Sequence, residues 1–203
     1  MFKLIVLVSG NGSNLQYLID NFNKNPKSNI KITNVISNRK SAYALQRAQE
    51  NDIKNCYIPY IRKNQTREQY DQLLSAYIEK LEYDLIVCAG WMHILGPNFL
   101  KTHKRIINLH PALPNTYKGV DCIRKTFEGF KNGQVNEGGV MIHWVIPEID
   151  SGKVIYSQSI PLKNSIYEFA NFDVYEENIK KIEKESLLYS INLIHKLGLK
   201  PEE

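Results

Sequence analysis

The sequence predicts an α/β fold of the doubly wound, Rossmann-like kind: a mostly parallel sheet with helices on both faces. Three observations predict it. Short, nearly continuous apolar runs rich in branched residues recur along the chain, as strands buried on both faces require. Stretches with apolar residues at helical spacing separate these runs. A glycine-rich turn joins the first run to the first helical stretch, where open sheets of this kind meet their ligands. Strands divided by helices pair in parallel through right-handed crossovers, so the first half carries the doubly wound arrangement.

The elements follow in order. Residues 2–9 form the first strand. Gly10-Asn11-Gly12-Ser13-Asn14 is a turn, with Ser13 or Asn14 placed to cap a helix whose apolar face is Leu15, Leu18, Ile19 and Phe22. A strand at 31–37, a helix at 41–51 and a short strand at 54–59 come next. Tyr70, Leu73, Leu74, Tyr77, Ile78 and Leu81 describe an amphipathic helix, and the strand 84–89 follows it. Beyond Gly96-Pro97, strands are expected at 105–109, 139–146 and 153–161, and a closing helix at 173–197. The segment 111–122 reads as a functional loop. No repeat, low-complexity tract or linker interrupts residues 1–203, so a single domain is expected.

Composition narrows the function. At 203 residues, with 43% hydrophobic and 23% charged residues, the chain can bury a full core and is neither disordered nor fibrous. The net charge of +5 is spread without a basic run, which disfavours nucleic acid and leaves room for anionic small substrates. Three unevenly spaced cysteines, Cys56, Cys88 and Cys122, fit neither a disulfide framework nor a zinc site, and suit a reducing compartment. The first residues lack a signal-peptide pattern and no segment reaches the length of a membrane span, so a cytoplasmic protein is expected.

The glycine turn invites an anion. Backbone amides at a strand-to-helix turn point outward, the helix dipole adds positive charge, and glycine allows close approach. The third glycine of a dinucleotide fingerprint would fall at Leu15, and the second strand ends at Ser37-Asn38 without an acidic residue. A monophosphate therefore suits the turn better than a dinucleotide or ATP; a tight turn without a ligand is the open alternative.

The stretch Asn108-Leu109-His110-Pro111 carries more chemistry. Strand alternation puts Asn108 and His110 on one face, with Ile107 and Leu109 on the other. An amide donor beside a titratable base suits acyl transfer through an oxyanion. Asp150, in the turn Glu148-Ile149-Asp150-Ser151-Gly152, is the candidate carboxylate to complete the set. On spacing alone, His110 is equally a satisfied histidine and Asp150 a turn residue. His143 reads as a packed strand histidine. No Ser, Cys or Lys stands in a nucleophile motif, which favours direct transfer over a covalent intermediate.

With these stretches in hand, the chain resembles the phosphoribosylglycinamide formyltransferases over nearly its whole length. The resemblance rests on Val-Ser-Gly-Asn-Gly-Ser-Asn-Leu-Gln at 8–16, Thr-Arg-Glu-Gln-Tyr-Asp at 66–71 and Ala-Gly-Trp-Met-His-Ile-Leu at 89–95. It continues with Asn-Leu-His-Pro-Ala-Leu-Pro at 108–114, His143-Trp144-Val145 and Glu-Ile-Asp-Ser-Gly at 148–152. Ala-Gly-Trp and His-Pro-Ala-Leu-Pro look more like the stand-alone yeast enzymes than the bacterial ones.

The resemblance implies transfer of a formyl group from 10-formyltetrahydrofolate, a co-substrate, to the amine of glycinamide ribonucleotide in purine biosynthesis, with no metal. Asn108, His110 and Asp150 match the family's catalytic residues. Gly10, Asn11, Gly12, Ser13 and Asn14, with Lys180 and Glu183 on the last helix, would hold the ribonucleotide. Arg67, Met92, His93, Ile94, Leu95 and Ile146, with Asn108 and Asp150, would meet the folate. Residues 1–100 become a phosphate-binding half and 101–203 a folate and catalytic half. The partners implied are these small molecules, with no nucleic acid or membrane, in a monomer or homodimer.

The chain also departs from the family pattern. Asp121, Cys122 and Ile123 stand where a histidine is usual, Val140 and Met141 where a hydroxyl is common, and Lys184 where a histidine is common. Residues 164–171 look like an insertion before the last helix. The competing readings are a related formyltransferase, a formyltetrahydrofolate hydrolase, and a non-catalytic phosphate-ligand binding protein. The first two usually carry an extra domain, and the last leaves the Asn–His–Asp set unexplained.

Overall fold

In the computed structural model, which describes residues 1–61, 63–162 and 171–201, the first apolar run is split between two cores. Leu4, Val6 and Val8 enter one cluster, while Ile5 and Leu7 enter the other on the opposite face of the sheet. Each such fully buried aliphatic side chain contributes about 1.5–3 kcal/mol, so a strand with no polar face is held from both sides.

In chain order the elements are β1 (Phe2–Val8), α1 (Ser13–Leu18, running on as a wider turn over Ile19–Asn23), β2 (Ile30–Ser37), α2 (Tyr43–Glu50) and β3 (Lys54–Tyr57). Then come α3 (Arg67–Ile78), β4 (Leu85–Cys88), α4 (Pro97–Thr102), β5 (Ile106–His110), α5 (Cys122–Lys131), β6 (Glu137–Trp144), β7 (Val154–Pro161) and α6 (Phe172–Leu197). The sheet order is β3-β2-β1-β4-β5-β6-β7. Pairing is parallel from β3 through β5 and antiparallel at β5–β6 and β6–β7.

Residues of α1, α2, α5 and α6 pack into the first core and those of α3 and α4 into the second, so helices cover both faces. The chain leaves β1 toward β2 on one side and returns to β4 on the other, which opens a crevice at their carboxyl ends. Ser9 bridges that edge, donating to Asn38 Oδ1 at 2.7 Å and accepting from the Met92 amide at 2.9 Å.

The structure corrects the sequence reading at three places. The cap of α1 is neither Ser13 nor Asn14: Gly12 takes the position, at φ 77°, with no side-chain capping bond. The third helix, read from the face Tyr70 to Leu81, spans Arg67–Ile78: Thr66 and Gln69 form a reciprocal capping box at its start, Leu73 is exposed and Leu81 lies past its end. Two helices, α4 and α5, lie where none was expected. Pro97 starts α4, as proline favours. In α5, Ile123, Phe127 and Phe130 fall at helical spacing and pack against the first core, a stripe that the sequence reading passed over. The insertion expected at 164–171 lies outside the described residues apart from Asn171, whose side chain caps α6 at the Val174 amide. Among the described residues, no helix is long and apolar enough to cross a membrane.

Candidate active site

The site grows from the end of β5. Ile107 and Leu109 enter the core, so alternation turns Asn108 and His110 to the other face. β6 runs antiparallel alongside and sets His143 directly opposite Asn108. The turn after β6 then brings Asp150 over the same face. Its Oδ2 lies 3.4 Å from His110 Nδ1, and its Oδ1 lies 3.5 Å from Asn108 Nδ2 and 3.7 Å from His143 Nε2. Asp150 holds a left-handed backbone at φ 50°, which aspartate tolerates better than most residues.

Hydrogen-bond logic fixes the two histidine rings. His110 Nε2 lies 2.8 Å from the Tyr117 carbonyl, which can only accept, so Nε2 carries a hydrogen. Nδ1 faces the Asp150 carboxylate, another acceptor, so the ring is held between two oxygen acceptors. His143 Nδ1 donates to the Trp144 carbonyl at 2.9 Å, which leaves Nε2 to face the Asn108 amide at 3.3 Å. Burial pushes the Asp150 carboxyl up, but the contact with His143, the Gly119 amide and the charge brought by His110 outweigh it. The carboxyl lies below the usual carboxylate range.

Sequence reasoning missed three participants. His143 is a strand histidine, but cross-strand register puts it against Asn108. Tyr117 and Gly119 act through the backbone, the Gly119 amide donating to Asp150 Oδ2 at 2.8 Å. Only the Gly119 position, with φ 81°, left a trace in the sequence, as a glycine in an irregular segment.

At the glycine turn, α2 supplies the outer wall. The Gly10 carbonyl accepts from the Ala44 amide at 3.2 Å, and Arg47 donates to the Asn11 carbonyl and Oδ1, each at 2.9 Å. In a trans peptide the N–H points opposite to the carbonyl, so these bonds turn the Asn11 and Gly12 amides away from α2. Gly12 abuts Ala44 so closely that a side chain there would collide with it. Ser13, the first residue of α1, lies exposed beside this turn. Gln16 is the residue whose amide returns to the Gly12 carbonyl, at 2.9 Å.

From across the fold, Glu183 of α6 meets Asn14, whose Nδ2 lies 3.4 Å from Glu183 Oε2. Lys180 pairs with Glu176 at 2.8 Å. Burial pushes the Glu183 carboxyl up, only partly offset by Asn14, Lys180 and Lys184. The unfolded chain therefore holds fewer protons between the ordinary glutamate value and this raised one, and stability falls as pH rises through that window. Glu183→Gln is expected to raise the melting temperature at about pH 7 and not at about pH 4. Equal melting of variant and wild type at both pH values would remove the buried charge from the account.

The residues expected on the folate side are more scattered. Met92 and Ile94 are exposed, as is Ile146 after β6, whereas Leu95 is buried. The His93 side chain turns inward: its Nε2 lies 2.8 Å from Asp71 Oδ1, and Tyr60, Tyr70 and Trp91 surround the ring. Any ligand contact at His93 would thus fall to its backbone. Arg67 lines a cleft of about 400 Å³ between α3 and α4, whose walls do not include Asn108, His110 or Asp150. Among the described residues, no group of three or more His, Cys, Asp or Glu gathers as a metal site would need.

An open α/β sheet with an amide, an imidazole and a carboxylate at one strand end is equipped for group transfer through an oxyanion. Comparison with known proteins narrows that class. The profile of the Formyl transferase family matches residues 2–190, and the chain belongs to that family. The phosphoribosylglycinamide formyltransferase of Schizosaccharomyces pombe is 41% identical, covering 95% of this chain and 96% of its own. That of Dictyostelium discoideum is 40% identical, covering 95% and 98%. The crystal structure of phosphoribosylglycinamide formyltransferase from Campylobacter jejuni superposes with a TM-score of 0.84 at 33% identity, covering 96% and 97% of the two chains.

Proposed function

We propose that this chain transfers the formyl group of 10-formyltetrahydrofolate to the amine of glycinamide ribonucleotide, giving formylglycinamide ribonucleotide and tetrahydrofolate in purine biosynthesis. The observation that carries the reading is the convergence of Asn108, His110 and Asp150, with His110 and Asp150 3.4 Å apart, in a chain resembling enzymes of that name over nearly all its length.

The amine nitrogen attacks the formyl carbon, and the carbonyl electron pair moves onto oxygen. Asn108 Nδ2 would turn the hydrogen now aimed at Asp150 Oδ1, its longer contact at 3.5 Å, to this oxyanion, and His110 as the imidazolium would place positive charge beside it. The oxyanion electron pair then re-forms the carbonyl as the bond from carbon to the folate nitrogen breaks, and the proton lost by the amine is delivered to that nitrogen through Asp150 and water. The glycine turn, with amides facing away from α2, would hold the ribonucleotide phosphate, and Glu183 and Lys180 its polar groups. Exposed Met92, Ile94 and Ile146 offer apolar surface to the folate, and the Arg67 guanidinium suits a carboxylate at its glutamyl end. A cytosolic setting belongs to the same reading, supported by free Cys56, Cys88 and Cys122.

The test is folate release from a 10-formyl folate, followed by absorbance, with and without glycinamide ribonucleotide. Release that needs the ribonucleotide, with formylated product, is expected. Release without it would make the protein a hydrolase, and no release would leave ligand binding without turnover.

A further inference from the structure

Tyr117, Lys118 and Gly119 form a strap across the site, and each residue makes one kind of contact with it. The Tyr117 carbonyl accepts from His110 Nε2 at 2.8 Å, and the Gly119 amide donates to Asp150 Oδ2 at 2.8 Å. Between them, Lys118 Nζ donates to Ser151 Oγ at 2.6 Å and reaches Glu148 Oε1 at 3.2 Å. Ser151 and Glu148 belong to the turn that carries Asp150. The strap thus touches both members of the His110–Asp150 pair, while a side chain ties it to the wall behind them.

We propose that Lys118 is a positioning residue for the transfer, pinning the strap to the 148–152 turn so that the Tyr117 carbonyl stays on His110 and the Gly119 amide on Asp150. The proposal rests on the formyl-transfer reading. Without Lys118, the strap would keep its two backbone bonds to His110 and Asp150, both groups that must also meet the substrates, and the weak contact of the Cys122 thiol with the Gly119 carbonyl at 3.3 Å. The anchor lies at the surface, with the Lys118 and Glu148 side chains 48% and 70% exposed, so it adds little to overall stability. Its effect is on placement, and small displacements of catalytic groups are costly to rate.

The experiment compares wild type with Lys118→Ala, Lys118→Arg, Ser151→Ala and the Lys118→Ala/Ser151→Ala pair. It measures kcat and KM for both substrates, amide exchange at Gly119 by NMR, and thermal melting. Lys118→Ala is expected to lower kcat about three- to tenfold with KM nearly unchanged, and to speed Gly119 exchange about tenfold without changing melting. Lys118→Arg should recover most of kcat, and the double variant should be no slower than Lys118→Ala, because both changes cut one tie. A kcat for Lys118→Ala within about twofold of wild type overturns the proposal, as does a loss confined to KM, which would make Lys118 a substrate contact. Losses that multiply in the double variant overturn it too. If the wild type forms no formylated ribonucleotide, the functional reading fails, while Gly119 exchange still reports the strap; an unchanged rate there removes the Lys118 tie itself.

Discussion

His110→Ala is expected to lower turnover by about 10²-fold or more, with a much smaller effect on ribonucleotide affinity. The ring is 2% exposed and held between the Tyr117 carbonyl and the Asp150 carboxylate, so its orientation at the strand end is fixed. Removing it leaves Asn108 as the remaining donor and the Asp150 carboxylate without its cation. Steady-state kinetics with both substrates checks this, and turnover near wild type would sink the role given to His110.

Asp150→Asn tests the partner, with an expected loss of about tenfold or more. The Asp150 carboxyl lies below the usual carboxylate range, so its contribution persists as pH falls through ordinary carboxylate values and is lost only below them. The ratio of wild-type to variant turnover should be flat from neutral pH downward and fall at the acid end.

Gly152→Ala is expected to lower turnover about ten- to a hundredfold and to destabilise the fold by about 1–3 kcal/mol. A methyl group at Gly152 would run into the Trp144 carbonyl, which belongs to β6 and cannot move alone. Relief therefore comes from lifting the turn, and the turn carries Asp150 two residues earlier. Denaturant unfolding and kinetics on the same preparation separate the two effects. A variant with normal turnover would show that Asp150 does not depend on this close packing.

Much of the fold was legible because burial writes itself into periodicity. The continuous apolar run of β1 belongs to a strand covered on both faces, and the structure divides it between two cores. The long closing helix was legible for the same reason, expected at 173–197 and found at Phe172–Leu197. α5 was passed over although Ile123, Phe127 and Phe130 fall at helical spacing: the stripe is one of a short helix that a glycine interrupts, and Gly129 stands there because the Tyr117 hydroxyl lies where a side chain would go. His93 has no signature that tells where its side chain turns; its pairing with Asp71, 22 positions away, turns the ring inward and leaves its backbone to any ligand.

The sequence by itself determined the order of the strands and of the four helices other than α4 and α5, the shared face of Asn108 and His110, and the glycine turn after β1. These depend on local spacing, which strand and helix geometry convert directly into direction. The distance from His110 to Asp150, the position of His143 opposite Asn108, and the strap from Tyr117 to Gly119 were decided only by the tertiary structure. They depend on antiparallel register and on backbone groups, and every residue carries the same backbone N–H and C=O whatever its side chain.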